Sequence, residues 1–144
     1  MPTAMEQVLD AMKAAIETGG IVVHIVRDED EFLQEGEIDC INLHWDGSEI
    51  QTPDNCGYLW DGLVVADCWG KMKTGQTPFQ AASALVASLG AIIHADETFG
   101  GKVEASAPTA VSGMKHMRND VGAISVTISV QYRTPRGDWN TLSN

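Results

Sequence analysis

The stretch VGAISVTISVQYRT at 121–134 constrains this chain more than any other. Gly122, Ile124, Val126, Ile128, Val130 and Tyr132 alternate there with Ala123, Ser125, Thr127, Ser129, Gln131 and Arg133. Successive side chains on a strand point to opposite faces, so this spacing predicts a long strand with one buried and one wet face. Such a face needs a layer to cover it, and the N-terminal residues supply one. Thr3 with Glu6 forms a capping box, and Met5, Val8, Leu9, Met12, Ala15 and Ile16 recur at helical spacing until Gly19-Gly20 stops the helix. A second helix starts at Thr77-Pro78-Phe79-Gln80, with Thr77 as N-cap, Pro78 at the first helical position and Gln80 closing the box. It carries Ala82, Leu85, Leu89 and Ile92 on one stripe, with small residues at Ala81, Ala84 and Ala87, and should last to about Ala95.

Between the helices lie further strands. IVVHIV at 21–26 is β-branched and runs into the acidic segment at 28–37, which reads as an exposed loop. EIDCINLHW at 37–45 fits a strand, Asp46-Gly47 marks a turn, and residues to Gly57 read as loop. YLWDGLVVADCWGKM at 58–72 reads as a long strand whose Gly62 marks a bulge or the close approach of another backbone. Residues 104–119 lack a clean period and read as loop, and 135–144 as a short polar tail. Strands clustered before a helix predict an α+β domain, an antiparallel or mixed sheet of about four strands packed against two helices. One domain of 1–144 is expected, with a core of 1–134, since 144 residues can bury a sizeable core without staples.

Charge narrows the partners. Nine Lys and Arg against twenty Asp and Glu give 9 − 20 = −11, which repels free nucleic acid and anionic membrane, so neither direct nucleic-acid readout nor membrane binding is expected. The N-terminus lacks the basic start and apolar core of a signal peptide, and no run is read as a membrane span. Cys40, Cys56 and Cys68 are odd in number and widely spaced, which suits reduced thiols in a cytoplasm.

Motifs with chemical content are scarce. His24, His44, His94 and His116 form no local ligand pair with the cysteines, so no metal or other cofactor is expected. Cys68 and His94 offer a nucleophile and base only if the fold joins them, and Asp39, Asp61 and Asp67 offer carboxylates with nothing to select a pair. No catalytic residue is assigned, and the chain is not read as an enzyme. Arg136-Gly137-Asp138 spells an adhesion tripeptide but is equally a turn sequence. DETFGGKV at 96–103 lacks the early glycine and the Ser or Thr of a phosphate loop and follows a helix instead of opening one. Gly100 and Gly101 are expected to shape a helix-exit turn, with Phe99 packing back.

With these elements in order, the chain resembles the tail terminator family of long-tailed phages, typified by the phage lambda minor tail protein U. The likeness rests on the N-terminal helix feeding a strand, the charged loop RDEDEFL at 27–33, a D-x-T-[LF]-G-G-x-V turn at Asp96–Val103, and a last strand ending in Tyr132-Arg133-Thr134. Phe99 replaces the commoner leucine, and the Cys- and Trp-rich central strands fall outside the pattern. The resemblance implies a virion protein, assembled in the host cytoplasm, that forms a ring at the head-proximal end of the tail. That ring, a homo-oligomer and by the likeness a hexamer, would cap the tail tube protein, stop its polymerisation and dock the head-tail connector. Asp28, Glu29, Asp30, Glu31, Phe32 and Leu33 are the expected contact loop, and Arg133 with Arg136 the counter-charges of a seam in an acidic ring. The alternatives are another neck protein of similar fold, or a small acidic enzyme or ligand-binding domain with Trp45, Trp60 and Trp69 lining a cleft.

Overall fold

A computed structural model describes residues 3–25, 39–54 and 57–143. The acidic loop Asp28–Leu33 and Cys56 lie outside them. The elements are α1 (Ala4–Thr18), β1 (Val22–Ile25), β2 (Cys40–Asp54), β3 (Gly57–Lys71), α2 (Pro78–Ala95), β4 (Ala105–Val111), β5 (Lys115–Arg118) and β6 (Val121–Thr134). They form an α+β fold in which the sheet order is β1-β2-β3-β6-β4, with β5 also on β6. Among the described residues only β1 against β2 is parallel.

Both helices start as their residues dictate. At α1 the Glu6 amide donates to Thr3 Oγ1 at 3.2 Å and the Thr3 amide to Glu6 Oε2 at 2.6 Å; at α2 the Gln80 amide donates to Thr77 Oγ1 at 3.2 Å and the Thr77 amide to Gln80 Oε1 at 2.9 Å. Each box satisfies amides that the first turn leaves without intrahelical partners. The helices cover one face of the sheet, α1 over β1 and β2, α2 over β3 and β6. Val8, Leu9, Met12, Ile16, Leu89 and Ile93 meet Ile41, Leu43, Val64, Ala66, Val126, Ile128 and Val130 in one core. On β6 the alternation holds: Gly122 to Tyr132 at even positions are buried, while Ser125, Thr127, Ser129, Gln131 and Arg133 are half-buried on the uncovered face.

The sheet is larger than expected, with six strands among the described residues instead of about four. Residues 46–54 continue β2 instead of forming a loop, and Asp46-Gly47 is a bulge instead of a turn: the register passes from Trp45↔Val64 to Ser48↔Gly62. Gly47 adopts φ 108°, and positive φ serves a bulge as well as a reversal. Residues 105–118, expected as loop, form β4 and β5, two segments along the same edge of β6. Between them the Ser112 amide donates to the Ser125 carbonyl at 2.9 Å, and Ser112 Oγ accepts from the Ser125 amide at 3.0 Å. Pro108, which weakens a strand signal, sits at a bulge on this edge strand, where a missing donor costs little.

Helix α2 is close to the sheet because two glycines let it be. Gly70 and Gly122 are direct partners across β3 and β6. A Cβ on Gly70 would lie 2.4 Å from the Ala81 carbonyl carbon, and one on Gly122 would lie 2.8 Å from the Pro78 carbonyl oxygen. The first turn of α2 therefore rests on bare backbone. No Asp, Glu, Lys or Arg occurs among its 18 residues, whose mean hydropathy of 1.3 makes it long and apolar enough to cross a membrane by length and composition, contrary to the reading of the sequence. Here it packs on β3 and β6, burying Ala81, Ala82, Leu89 and Ile93.

This seat predicts opposite outcomes for two kinds of glycine. Gly70→Ala and Gly122→Ala should each lower stability by about 1–3 kcal/mol, since the atoms they meet are backbone. Gly90, inside α2 with nothing within 4 Å of an added Cβ, should gain about 0.5–1 kcal/mol as Ala. Chemical denaturation of the three variants checks this, and equal effects at all three would refute the close seat.

Candidate interface at one end of the sheet

The DETFGGKV turn and the Tyr132-Arg133-Thr134 strand end, far apart in sequence, meet at one end of the sheet. β6 ends in Tyr132-Arg133-Thr134, and the turn after α2 delivers the chain to the start of β4 beside it. The Glu104 amide donates to the Gln131 carbonyl at 2.8 Å, and Arg133 Nε lies 3.5 Å from Glu104 Oε1, both side chains partly exposed. The residues after β6, expected as a tail, return to the same end. Ala4 donates its amide to the Trp139 carbonyl at 3.1 Å, Gln7 Nε2 donates to the Asn140 carbonyl at 2.5 Å, and the Ser143 amide donates to the Arg133 carbonyl at 2.8 Å. Arg136 is exposed.

The turn itself is a helix exit. Phe99, Gly100 and Gly101 hold φ of 49°, 74° and 81° in succession, and Phe99 is buried in the core. Asp96 holds this conformation by accepting the Gly100 amide at 2.7 Å, the Thr98 hydroxyl at 2.9 Å and the Thr98 amide at 3.1 Å, while Thr98 Oγ1 accepts the Gly101 amide at 3.1 Å. The glycine amides are thus committed inside the turn. The Gly100 amide, then the Thr98 hydroxyl and amide, hold the Asp96 carboxyl below the usual carboxylate range. Asp138 repeats the device: it accepts the Asn140 amide at 2.9 Å and the Thr141 hydroxyl at 2.8 Å, which lowers its pKa and turns Arg136-Gly137-Asp138 into part of a folded corner.

An aromatic cluster gathers around Tyr132 near the end of β6. Trp60 stacks on Tyr132 with centroids 6.0 Å apart, Trp45 meets Tyr132 edge-on at 5.8 Å, and Trp139 meets Trp60 edge-on at 5.2 Å. Gly62 makes room for Trp45, since a Cβ there would lie 2.8 Å from Cζ2 of its ring. The close approach expected at Gly62 is therefore an indole and not a backbone. Trp60 Nε1 donates to Thr134 Oγ1 at 2.9 Å, and the hydroxyls of Ser48 and Tyr132 lie 3.1 Å apart, so the polar tips of Trp60 and Tyr132 are satisfied. Trp69 lies on the opposite face with Cys40, Ala123 and Met117, so the three tryptophans do not line one cleft.

The catalytic candidates stay apart. Cys68 is fully buried, and burial first, then the charges of Asp67 and Cys40, pushes its thiol up to about 12; His94 is exposed on α2. Asp39 accepts the Lys71 amide at 3.0 Å and Lys73 Nζ at 2.6 Å, a clip at the start of β2. On the uncovered face Asp67 stands between Ser125 Oγ at 2.5 Å and His44 Nε2 at 3.2 Å. At this site the carboxylate stands between the hydroxyl and the imidazole, which is not the serine–histidine contact that activates a nucleophile. Asp61 accepts from Ser129 Oγ at 2.7 Å and faces Glu49 across the ladder, beside a cleft of about 320 Å³ that Asp46, Gly47, Ser48 and Leu63 complete. Among the described residues no group of three or more His, Cys, Asp or Glu could hold a metal ion.

Gly100 and Gly101, expected to shape a turn, form it; of the expected interface residues Arg133 and Arg136 lie at this end, and the loop Asp28–Leu33 is outside the described residues. Reading the sequence missed Glu104 as the partner of Arg133, because that pairing follows only from β4, and missed the return of Trp139. No protein-family model matches this chain, and no curated protein matches it in sequence.

Two outcomes follow from the titrating groups. The folded Asp96 has a pKa below its ordinary 3.8, so its contribution is present above that value and is lost as pH falls through the lowered one. Asp96→Asn should lower the thermal midpoint at neutral pH and converge on the parent protein as pH drops below 4; a pH-independent gap would contradict the assignment. Cys68 works the other way. Its thiol ionises near 9.0 when unfolded and near 12 when folded, so stability holds below pH 9 and falls by about 1.4 kcal/mol per pH unit above it. Cys68→Ala should flatten the alkaline limb of the denaturation curve, and an unchanged slope would count against burial of the thiol.

Proposed function

We propose that this protein is a tail terminator of a long-tailed phage, a ring-forming subunit that caps the tail tube, stops its polymerisation and presents a docking surface to the head-tail connector. The observation that carries this reading is the meeting of the D-x-T-[LF]-G-G-x-V turn with the Tyr132-Arg133-Thr134 strand end, joined by the Arg133–Glu104 pair. An α+β subunit with one sheet face left open by its helices is compatible with that role. A cap must match the last ring of the tube on one side and withhold the tube's own binding surface on the other, which requires no covalent chemistry. In a subunit of net charge −11, Arg133 and Arg136 supply positive charge at the end where subunits or partners would meet.

The deciding experiment is electron microscopy of tails assembled with and without this protein. Overlong tubes in its absence single out termination, and tubes of normal length that fail to join heads point to another neck protein. Arg133→Glu should weaken assembly, read as a shift from ring to monomer mass in solution or on the tube, with the melting midpoint measured alongside. A folded Arg133→Glu protein that still forms rings and limits tube length would remove Arg133 from the seam.

A further inference from the structure

The tripeptide Trp-Asp-Gly occurs twice, at 45–47 and 60–62, and the fold gives its two copies opposite surroundings. Asp-Gly is the sequence most prone to aspartyl isomerisation, because a residue without a side chain leaves its amide nitrogen open to approach by the preceding carboxyl carbon. Closure also needs backbone freedom and a carboxyl that nothing holds. Asp61-Gly62 has neither. Gly62 is buried and paired on both sides, with Ser48 and Val130; the Trp45 ring presses on it, and Ser129 Oγ holds the Asp61 carboxylate at 2.7 Å. At Asp46-Gly47 both residues are exposed and neither has a partner in the ladder, which jumps from Trp45↔Val64 to Ser48↔Gly62. Gly47 has nothing within 4 Å of an added Cβ, and among the described residues no hydrogen bond or ion pair holds the Asp46 carboxylate.

We propose that Asp46 is a site of spontaneous aspartyl isomerisation in the folded protein, while Asp61 in the same tripeptide is protected. The Gly47 amide nitrogen gives up its proton and bonds to Asp46 Cγ. One carboxyl oxygen leaves as water, and a five-membered succinimide remains, lighter by that water. Water then adds back. Opening at the side-chain carbonyl restores aspartate, and opening at the main-chain carbonyl gives isoaspartate, with the backbone now running through Cγ. No electron changes hands. The product inserts one extra backbone carbon into the bulge beside Ser48, Glu49 and Asp61, and it is the class of substrate that isoaspartyl carboxyl methyltransferases accept.

The test ages the folded protein in neutral buffer at body temperature and reads two signals. One is fragment mass spectrometry that distinguishes isoaspartate from aspartate at each site; the other is methyl transfer from labelled S-adenosylmethionine by an isoaspartyl methyltransferase. Isoaspartate should accumulate at Asp46 at least tenfold faster than at Asp61, and unfolding in denaturant should bring the two rates together. Asp46→Glu, which keeps the charge and cannot close the five-membered ring, should abolish the methyl acceptance of the folded protein. Equal rates at the two sites in the folded protein, or reaction at both only after unfolding, would overturn the proposal. Gly47→Ala slows closure chemically but strains a residue at φ 108°, so Asp46→Glu is the primary control.

Discussion

The pairing of β3 with β6 is the interaction on which the rest depends. Fourteen residues of each strand are in register without a break, from Tyr58↔Thr134 to Lys71↔Val121. Every other strand attaches to this pair: β2 and through it β1 on one side, β4 and β5 on the other. The same pair supplies the inner wall of the core through Val64, Ala66, Cys68, Ile124, Val126, Ile128 and Val130. Its cross-strand glycines set the height of α2. Packing, sheet order and helix position thus follow from one uninterrupted ladder, because side chains facing each other across strands can be buried together only where the register is fixed.

Much of this was legible in the sequence where a single physical rule dominates. Both capping boxes, the limits of α2, and the alternation of β6 each rest on one local requirement, and each agrees with the structure. Reading stopped where one signal serves two ends. Asp46-Gly47 combines polarity and positive φ, which mark a turn and a bulge alike, and only the partner strand decides between them. Residues 105–118 carry small and polar side chains with a proline, since an edge strand buries few of them and its stability comes from β6. Gly70 and Gly122 gave no local sign of their role, because a close approach between helix and sheet exists only after both are in place. The candidate interface was half legible: Arg133 and the turn were marked, while Glu104 and Trp139 became visible only through the topology.

Several carboxylates across the fold are held by donors of their own. Asp96 and Asp138 spend their charge on backbone amides of their own turns, and Asp61 and Asp67 on serine hydroxyls and, for Asp67, His44. An excess of carboxylates becomes compatible with a tight fold when each one has donors of its own, because hydrogen bonds to the ionised form stabilise it. The acidic composition is therefore partly structural and not merely a solvating coat.

The order of strands also governs how the chain can be made. β6 lies between β3 and β4 in space, yet it follows both of them in sequence. Until it joins, β3 has no neighbour along one edge, β4 and β5 have no sheet to join, and α2 has nothing on its second glycine to rest against. The residues before β6 can form only an incomplete layer with an open strand edge, the kind of surface that pairs with other chains. Completion of the sheet waits for residues 121–134, which close the gap from both sides.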